Sequence, residues 1–196
     1  MASSNPVGPP GVRDESRRTL SNKIVKDLVF FEKYGAETNG EYTRVRVQVK
    51  PQGGTPMHYH RSYSEYFSPT QGILGVVVGS RTLNMTPGES AEVPMGTYHR
   101  FFNPSMTEDC SFVGEARPAH EGFERGLYII YGLANDGLCN EVGMPKSLLH
   151  LCLITNMSDM FFPGWMGSIG LPFMKLIAAY GRWSGEEESL LKRYWY

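Results

Sequence analysis

Apolar and polar residues alternate with a period of two through Glu41–Lys50, where Thr43, Val45, Val47 and Val49 fall on one side and Arg44, Arg46, Gln48 and Lys50 on the other. That pattern predicts a half-buried strand. Lys23–Glu32 reads as a strand too, although Ile24, Val25, Leu28 and Val29 fit helical spacing nearly as well. Gly72–Gly79, GILGVVVG, is apolar on both faces. One face is expected to line an interior, and the other to be covered by a second sheet, an extension or a partner chain. Gly79-Ser80 supplies a hairpin turn into Arg81–Met85, and Ser90–Val93 leads to a turn marked by Pro94 and Gly96. Tyr98–Phe102 and Cys110–Arg117 complete the series. Short strands at this spacing, broken by glycine and proline, predict an all-β sandwich or jelly roll.

The period changes after Pro118. Phe123, Leu127, Ile130 and Leu133 recur at helical spacing through Glu121–Asn135, with Asp136-Gly137 as the stop. Pro145 is well placed to open a second helix, PKSLLHLCLITNM. Met160–Tyr180 is rich in Phe, Met, Trp and Ile but is interrupted by Pro163, Gly164, Gly167, Gly170 and Pro172. No uninterrupted apolar run reaches the ~18 residues of a membrane span. A helical layer packed on the barrel ranks first for this region, ahead of a lid over its mouth or a dimer contact. The expected organisation is a flexible arm over residues 1–20, a β-barrel over 21–118 and a mainly helical extension over 119–196.

Candidate chemistry concentrates in Gly53–Gly72, GGTPMHYHRSYSEYFSPTQG. In an extended Met57–His60, His58 and His60 share a face, their attachment points about 6.6 to 7 Å apart. One metal ion about 2.0 to 2.1 Å from each ring fits between them. Glu65 could return a carboxylate to that ion, and His99 stands just inside the strand after the Pro94 turn. The patterns His58-x-His60-x4-Glu65-x6-Gly72 and Gly88-x5-Pro94-x-Gly96-x2-His99-x3-Asn103 resemble the two motifs of the cupin superfamily. The family's glycine six positions before the first histidine is replaced by Gln52, with Gly53 and Gly54 following, so the entry turn is expected to shift by one. The resemblance implies a double-stranded β-helix, the cupin barrel, with His58, His60, Glu65 and His99 as metal ligands and Glu65 and His99 as catalytic residues. Three of the five histidines fall at these positions. His120 and His150 lie outside the motifs and are read as surface or helix-cap residues, and the alternative for Glu65 is a salt bridge to Arg61 or Arg100.

Three imidazoles and a carboxylate suit one divalent transition metal (Fe, Mn, Ni, Cu, Co or Zn) rather than calcium. On the alternation that points His99 inward, Thr97 and Phe101 share its face, and Phe67 shares that of Glu65. With Val47 these are the expected substrate contacts, Val45 and Val49 are further wall candidates, and Tyr66, Tyr98 and Arg100 are candidate polar contacts.

Composition narrows the partners. A net charge of −1 with interspersed signs leaves no basic stripe for nucleic acid and no polybasic membrane segment. Cys110, Cys139 and Cys152 form no CxxC and suggest neither a disulfide framework nor a thiolate zinc site. The start of the chain lacks the apolar core of a signal peptide, so a cytoplasmic location is expected. The doubly apolar Gly72–Gly79 is consistent with a homodimer. The leading functional expectation is an oxygenase or dioxygenase acting on a small hydrophobic or aromatic, polyketide-like molecule. Behind it stand a non-oxidative isomerase, cyclase, dehydratase or decarboxylase at the same metal, and a metal-dependent binding protein without turnover.

Overall fold

A computed structural model describes residues 8–164 and 170–196. After a short helical turn, α1 (Pro10–Arg13), the chain forms β1 (Thr19–Asn22), β2 (Asp27–Lys33), β3 (Thr43–Val49), β4 (Ser64–Gln71), β5 (Leu74–Val78), β6 (Arg81–Met85), β7 (Ala91–Val93), β8 (His99–Phe102) and β9 (Cys110–Arg117). The helices α2 (Glu121–Asn135), α3 (Leu148–Ser158), α4 (Leu171–Trp183) and α5 (Glu186–Tyr194) follow. A six-stranded sheet in the order β1-β2-β3-β9-β4-β7 faces a three-stranded sheet β6-β5-β8. Every strand pairing is antiparallel.

The alternation of Glu41–Lys50 decides the facing of β3. Thr43, Val45, Val47 and Val49 are buried and the intervening residues are not. On β2 the same alternation buries Asp27, Val29 and Phe31. The reading of Lys23–Glu32 as one strand needs correction: Lys23–Lys26 is a turn, with Lys26 at φ 59°. That turn joins β1 to β2 as a hairpin in which Asn22 faces Asp27. β5 is buried at four of its five positions within the chain, so its apolar faces are covered without a partner.

The segment expected to be a free arm is folded from Pro10 onward. The Arg13 and Arg17 guanidiniums donate to the carbonyls of Tyr194, Trp195 and Tyr196 at the other end of the chain. Arg18 pairs with Glu37. The start of that arm, residues 1–7, lies outside the described residues.

The helices pack as a layer against the sheet edge. Helix α2 runs over the residues its periodicity predicts, and its N-cap is His120, whose ring accepts from the Phe123 amide. Burial is not confined to the predicted stripe, because β1 lies on one side of α2 and α3 on another. Close approach to α3 requires a missing Cβ: one built on Gly122 would stand 1.9 Å from the Met157 carbonyl oxygen. Helix α3 begins later than expected. Ser147 caps it, while Pro145 pairs with Cys139 in an isolated bridge. Trp195, 1% exposed, stands edge-on to Tyr128 and ties the end of the chain to α2. Among the described residues, no helix is long and apolar enough to cross a membrane.

Candidate metal centre

His58 and His60 sit in an extended loop rather than a regular strand. Single bridges pair His58 with His99 and Tyr59 with Phe161. Two reciprocal backbone hydrogen bonds, 2.9 and 2.8 Å, lock His58 to His99, and their rings lie 4.3 Å apart. Glu65 enters from β4, whose partner β9 fixes it opposite Ala116. One donor atom from each of His58, His60, Glu65 and His99 lies within 4.8 Å of the other three.

The outer nitrogens determine what the inner ones can do. Nδ1 of His58 donates to the Pro56 carbonyl at 2.8 Å, Nδ1 of His60 to that of Asp159 at 3.0 Å, and Nδ1 of His99 to that of Thr97 at 2.8 Å. With Nδ1 protonated in all three rings, each neutral imidazole turns an Nε2 lone pair inward. His60 Nε2 is buried and has no hydrogen-bond partner. His99 Nε2 stands 2.8 Å from Glu65 Oε2, a contact that requires a proton between them when no cation is near.

Charge states follow the same geometry. Burial, reinforced by the neighbouring rings of His99 and His60, pushes His58 down to about 3. Burial also lowers His60, with Glu65 opposing. Burial alone would raise the Glu65 carboxyl, but the surrounding His60, His99 and His58 outweigh it and hold it down to about 2. For His99 burial acts downward and the Glu65 carboxylate overcomes it, leaving the ring above its ordinary value. Two neutral imidazoles, a third that releases its shared proton to solvent as a cation enters, and an ionised carboxylate are the donor set a divalent transition metal takes. The orphaned His60 nitrogen is the atom such an ion would satisfy. The residues therefore fit the metal that the motifs imply.

A cavity of about 110 Å³ opens beside this cluster. His58 and Glu65 reach its wall, as do the expected Val47, Phe67 and Phe101, together with Val45. Several expectations are corrected. Thr97 does not line the cavity: it lies in the turn before β8, where strand alternation does not apply, and its carbonyl orients His99. Val49 is buried but away from the cavity. Tyr66, Tyr98 and Arg100 face outward, Tyr66 onto Glu92, Tyr98 onto Tyr59 and Arg100 over Phe102. Arg61 pairs with Asp159 rather than with Glu65. His150 is not a cap: its Nε2 meets Glu186 across α3 and α5.

The helical region supplies parts of the site that spacing could not place. Phe123, Leu127, Ile130 and Tyr131 of α2, with Met160 and Phe162, close one side of the cavity. Asp159, at φ 52° just after α3, accepts from the backbone amides of Arg61 and Ser62 at 2.6 and 2.7 Å. Tyr63 stacks on His60 with ring centres 4.2 Å apart and donates to the Ser158 carbonyl.

Residues 45–113 match the family described as Cupin domain. The chain is 34% identical over 106 residues to the "Probable oxidoreductase virH" of Hypocrea virens, covering 52% of this chain and 48% of that protein. It is 28% identical over 144 residues to the "Epoxidase atD" of Aspergillus terreus, covering 67% and 43% respectively. The chain thus spans less than half the length of these relatives. Among solved structures, a recombinant oxalate oxidase in complex with glycolate superposes with a TM-score of 0.42 at 24% identity, over 47% of this chain and 51% of that one. An RmlC-like cupin from Shewanella frigidimarina superposes with a TM-score of 0.46 at 20% identity, over 53% and 86%.

Proposed function

We propose that this chain is a metal-dependent cupin oxidoreductase acting on a small, largely apolar molecule, with oxygenation as the reaction class. The observation that carries this reading is the convergence of His58, His60, Glu65 and His99, each histidine held in one tautomer, at the wall of an apolar cavity. Two relatives named as an oxidoreductase and an epoxidase support the redox assignment over a non-oxidative one. When bound, a divalent transition metal would supply redox and Lewis-acid chemistry.

His58, His60, Glu65 and His99 are the residues that would hold the ion. Glu65 and His99, 2.8 Å apart, are the expected catalytic pair: they share a proton while no cation is near and release it when they ligate the ion. Phe67, Phe101 and Val47 contribute apolar wall that excludes water and favours an aromatic or aliphatic substrate over a sugar nucleotide.

Oxygen consumption by the metal-loaded protein with a panel of phenols and β-dicarbonyls tests the reaction class. Substrate-dependent uptake that His99→Ala abolishes is the expected result. Turnover without uptake would replace oxygenation by isomerisation or lyase chemistry, and retention of a ligand without product would make the protein a binding module.

A further inference from the structure

The cavity carries one buried acid that the metal cluster does not use. Asp27 opens β2, is 6% exposed and lines the cavity with Asn22 and Tyr131. Tyr131 donates to its Oδ2 at 2.6 Å. Its Oδ1 is buried and has no hydrogen-bond partner. An unpaired carboxylate oxygen in an apolar surround is costly to the fold, and a bound donor would recover that cost.

Strand register locates this acid relative to the metal ligands. Asp27 faces Val49, which faces Cys110 on β9, whereas Glu65 faces Ala116 on the same strand. The two rows are six residues apart along β9, about 20 Å of strand before the sheet's curl shortens the path. Between them the wall is Val29, Val47, Phe112 and Ile130. The cavity wall is therefore largely apolar between the Asp27 end and the His58–Glu65 end, with Thr55 and Glu115 also on its lining.

We propose that Asp27, braced by Tyr131, is the second recognition point of this cavity, its free Oδ1 accepting a hydrogen bond from a hydroxyl of an elongated apolar molecule whose other end reaches the His58–Glu65 wall. This deepens the oxidoreductase reading and rests on that cavity being the substrate site. A neutral hydroxyl suits the position better than an ammonium group. Burial, opposed by Tyr131 and the residue's own amide, raises the Asp27 carboxyl to about 6, which marks a surround that disfavours charge. The preferred class is a phenol or alcohol on an apolar frame.

Matched probes sized to the cavity test this on the full chain: para-cresol, its methyl ether, and benzylamine, each titrated by calorimetry into zinc-loaded and chelator-treated protein. The wild type is expected to bind the phenol at least tenfold more tightly than the ether, with or without zinc. Asp27→Val combined with Tyr131→Phe removes both polar partners together, so that neither is left orphaned, and should bind phenol and ether within about twofold of each other. Asp27→Asn gives a second reading. Tyr131 claims the amide oxygen, the NH2 group faces the cavity, and the preference for the phenol should vanish or invert. A wild type that takes neither probe, takes both equally or prefers the amine overturns the proposal, as does a double variant that keeps the tenfold preference. Zinc content of the same preparations separates the two failures. Full zinc with no phenol preference sinks Asp27 recognition alone, and a preserved preference in protein that takes up no metal sinks the oxidoreductase reading alone.

Discussion

His60 Nδ1 donates to the backbone carbonyl of Asp159 across 3.0 Å, joining residues 99 positions apart. The carboxylate of the same aspartate accepts from the amides of Arg61 and Ser62 and from the Ser62 hydroxyl, all at 2.6 to 2.7 Å. One residue at the end of α3 thus fixes both the tautomer of a candidate ligand and the loop that carries it. Outer hydrogen bonds of this kind typically hold a factor of about 10 to 100 in metal affinity. Asp159→Ala keeps the carbonyl that orients His60 but releases the loop that carries it, so it should weaken metal binding by less than that factor, several-fold, and destabilise the fold by about 3 kcal/mol, through lost charge-assisted hydrogen bonds and an unfavourable positive φ. Asp159→Asn tolerates the left-handed backbone and should recover part of both losses. Urea denaturation and metal titration read them separately, and wild-type metal affinity in the alanine variant would refute the bracing role.

Gly114 on β9 lines the cavity, and a methyl group there would meet the Phe112 ring at 3.4 Å and Val45 at 3.5 Å, ordinary contact distances. Gly114→Ala should fold with a melting temperature equal to or slightly above the wild type, since alanine is less free than glycine in the unfolded chain by about 0.4–1 kcal/mol. The added carbon occupies substrate space. Ligand affinity or KM should worsen several-fold while metal content stays constant, and unchanged ligand binding would place the substrate elsewhere.

Asp27 predicts a pH signature. Its folded value, about 6, lies above the ordinary 3.8 because burial outweighs the Tyr131 hydroxyl that donates to it from α2. Between those values the folded protein holds a proton that the unfolded chain has released. Raising pH from about 4 to about 6 therefore costs stability, on the order of 2 kcal/mol of the roughly 3 kcal/mol that the whole shift represents. Asp27→Asn should flatten that part of the profile. Denaturation midpoints across this range provide the measurement, and parallel profiles for the two proteins would show that Asp27 is not held in its neutral form.

Local pattern made much of the frame readable. The alternation on β3 declares its buried face, and the spacing of His58, His60, Glu65 and His99 declares a shared site because β4 and β8 bring them to one place. Asp27 was also visible in principle, alternating inward with Val29 and Phe31, but the turn at Lys26 hid where the strand begins. Thr97 misled because alternation stops in the turn before His99. Asp159 carried no local sign at all. Its role depends on α3 returning the chain to the metal loop, a tertiary event without a sequence period.

If His58, His60, Glu65 and His99 hold a divalent transition metal, elemental analysis of protein purified without added metal should find close to one transition-metal ion per chain. Melting curves taken before and after chelation should show a melting temperature that falls on chelation and returns on re-addition. At 100 times the Kd the bound ion should contribute about 2.7 kcal/mol. His60→Ala and Glu65→Gln should both lose stoichiometric metal. A wild-type preparation that carries no metal and melts identically with added Fe, Mn, Ni or Zn would contradict that assignment.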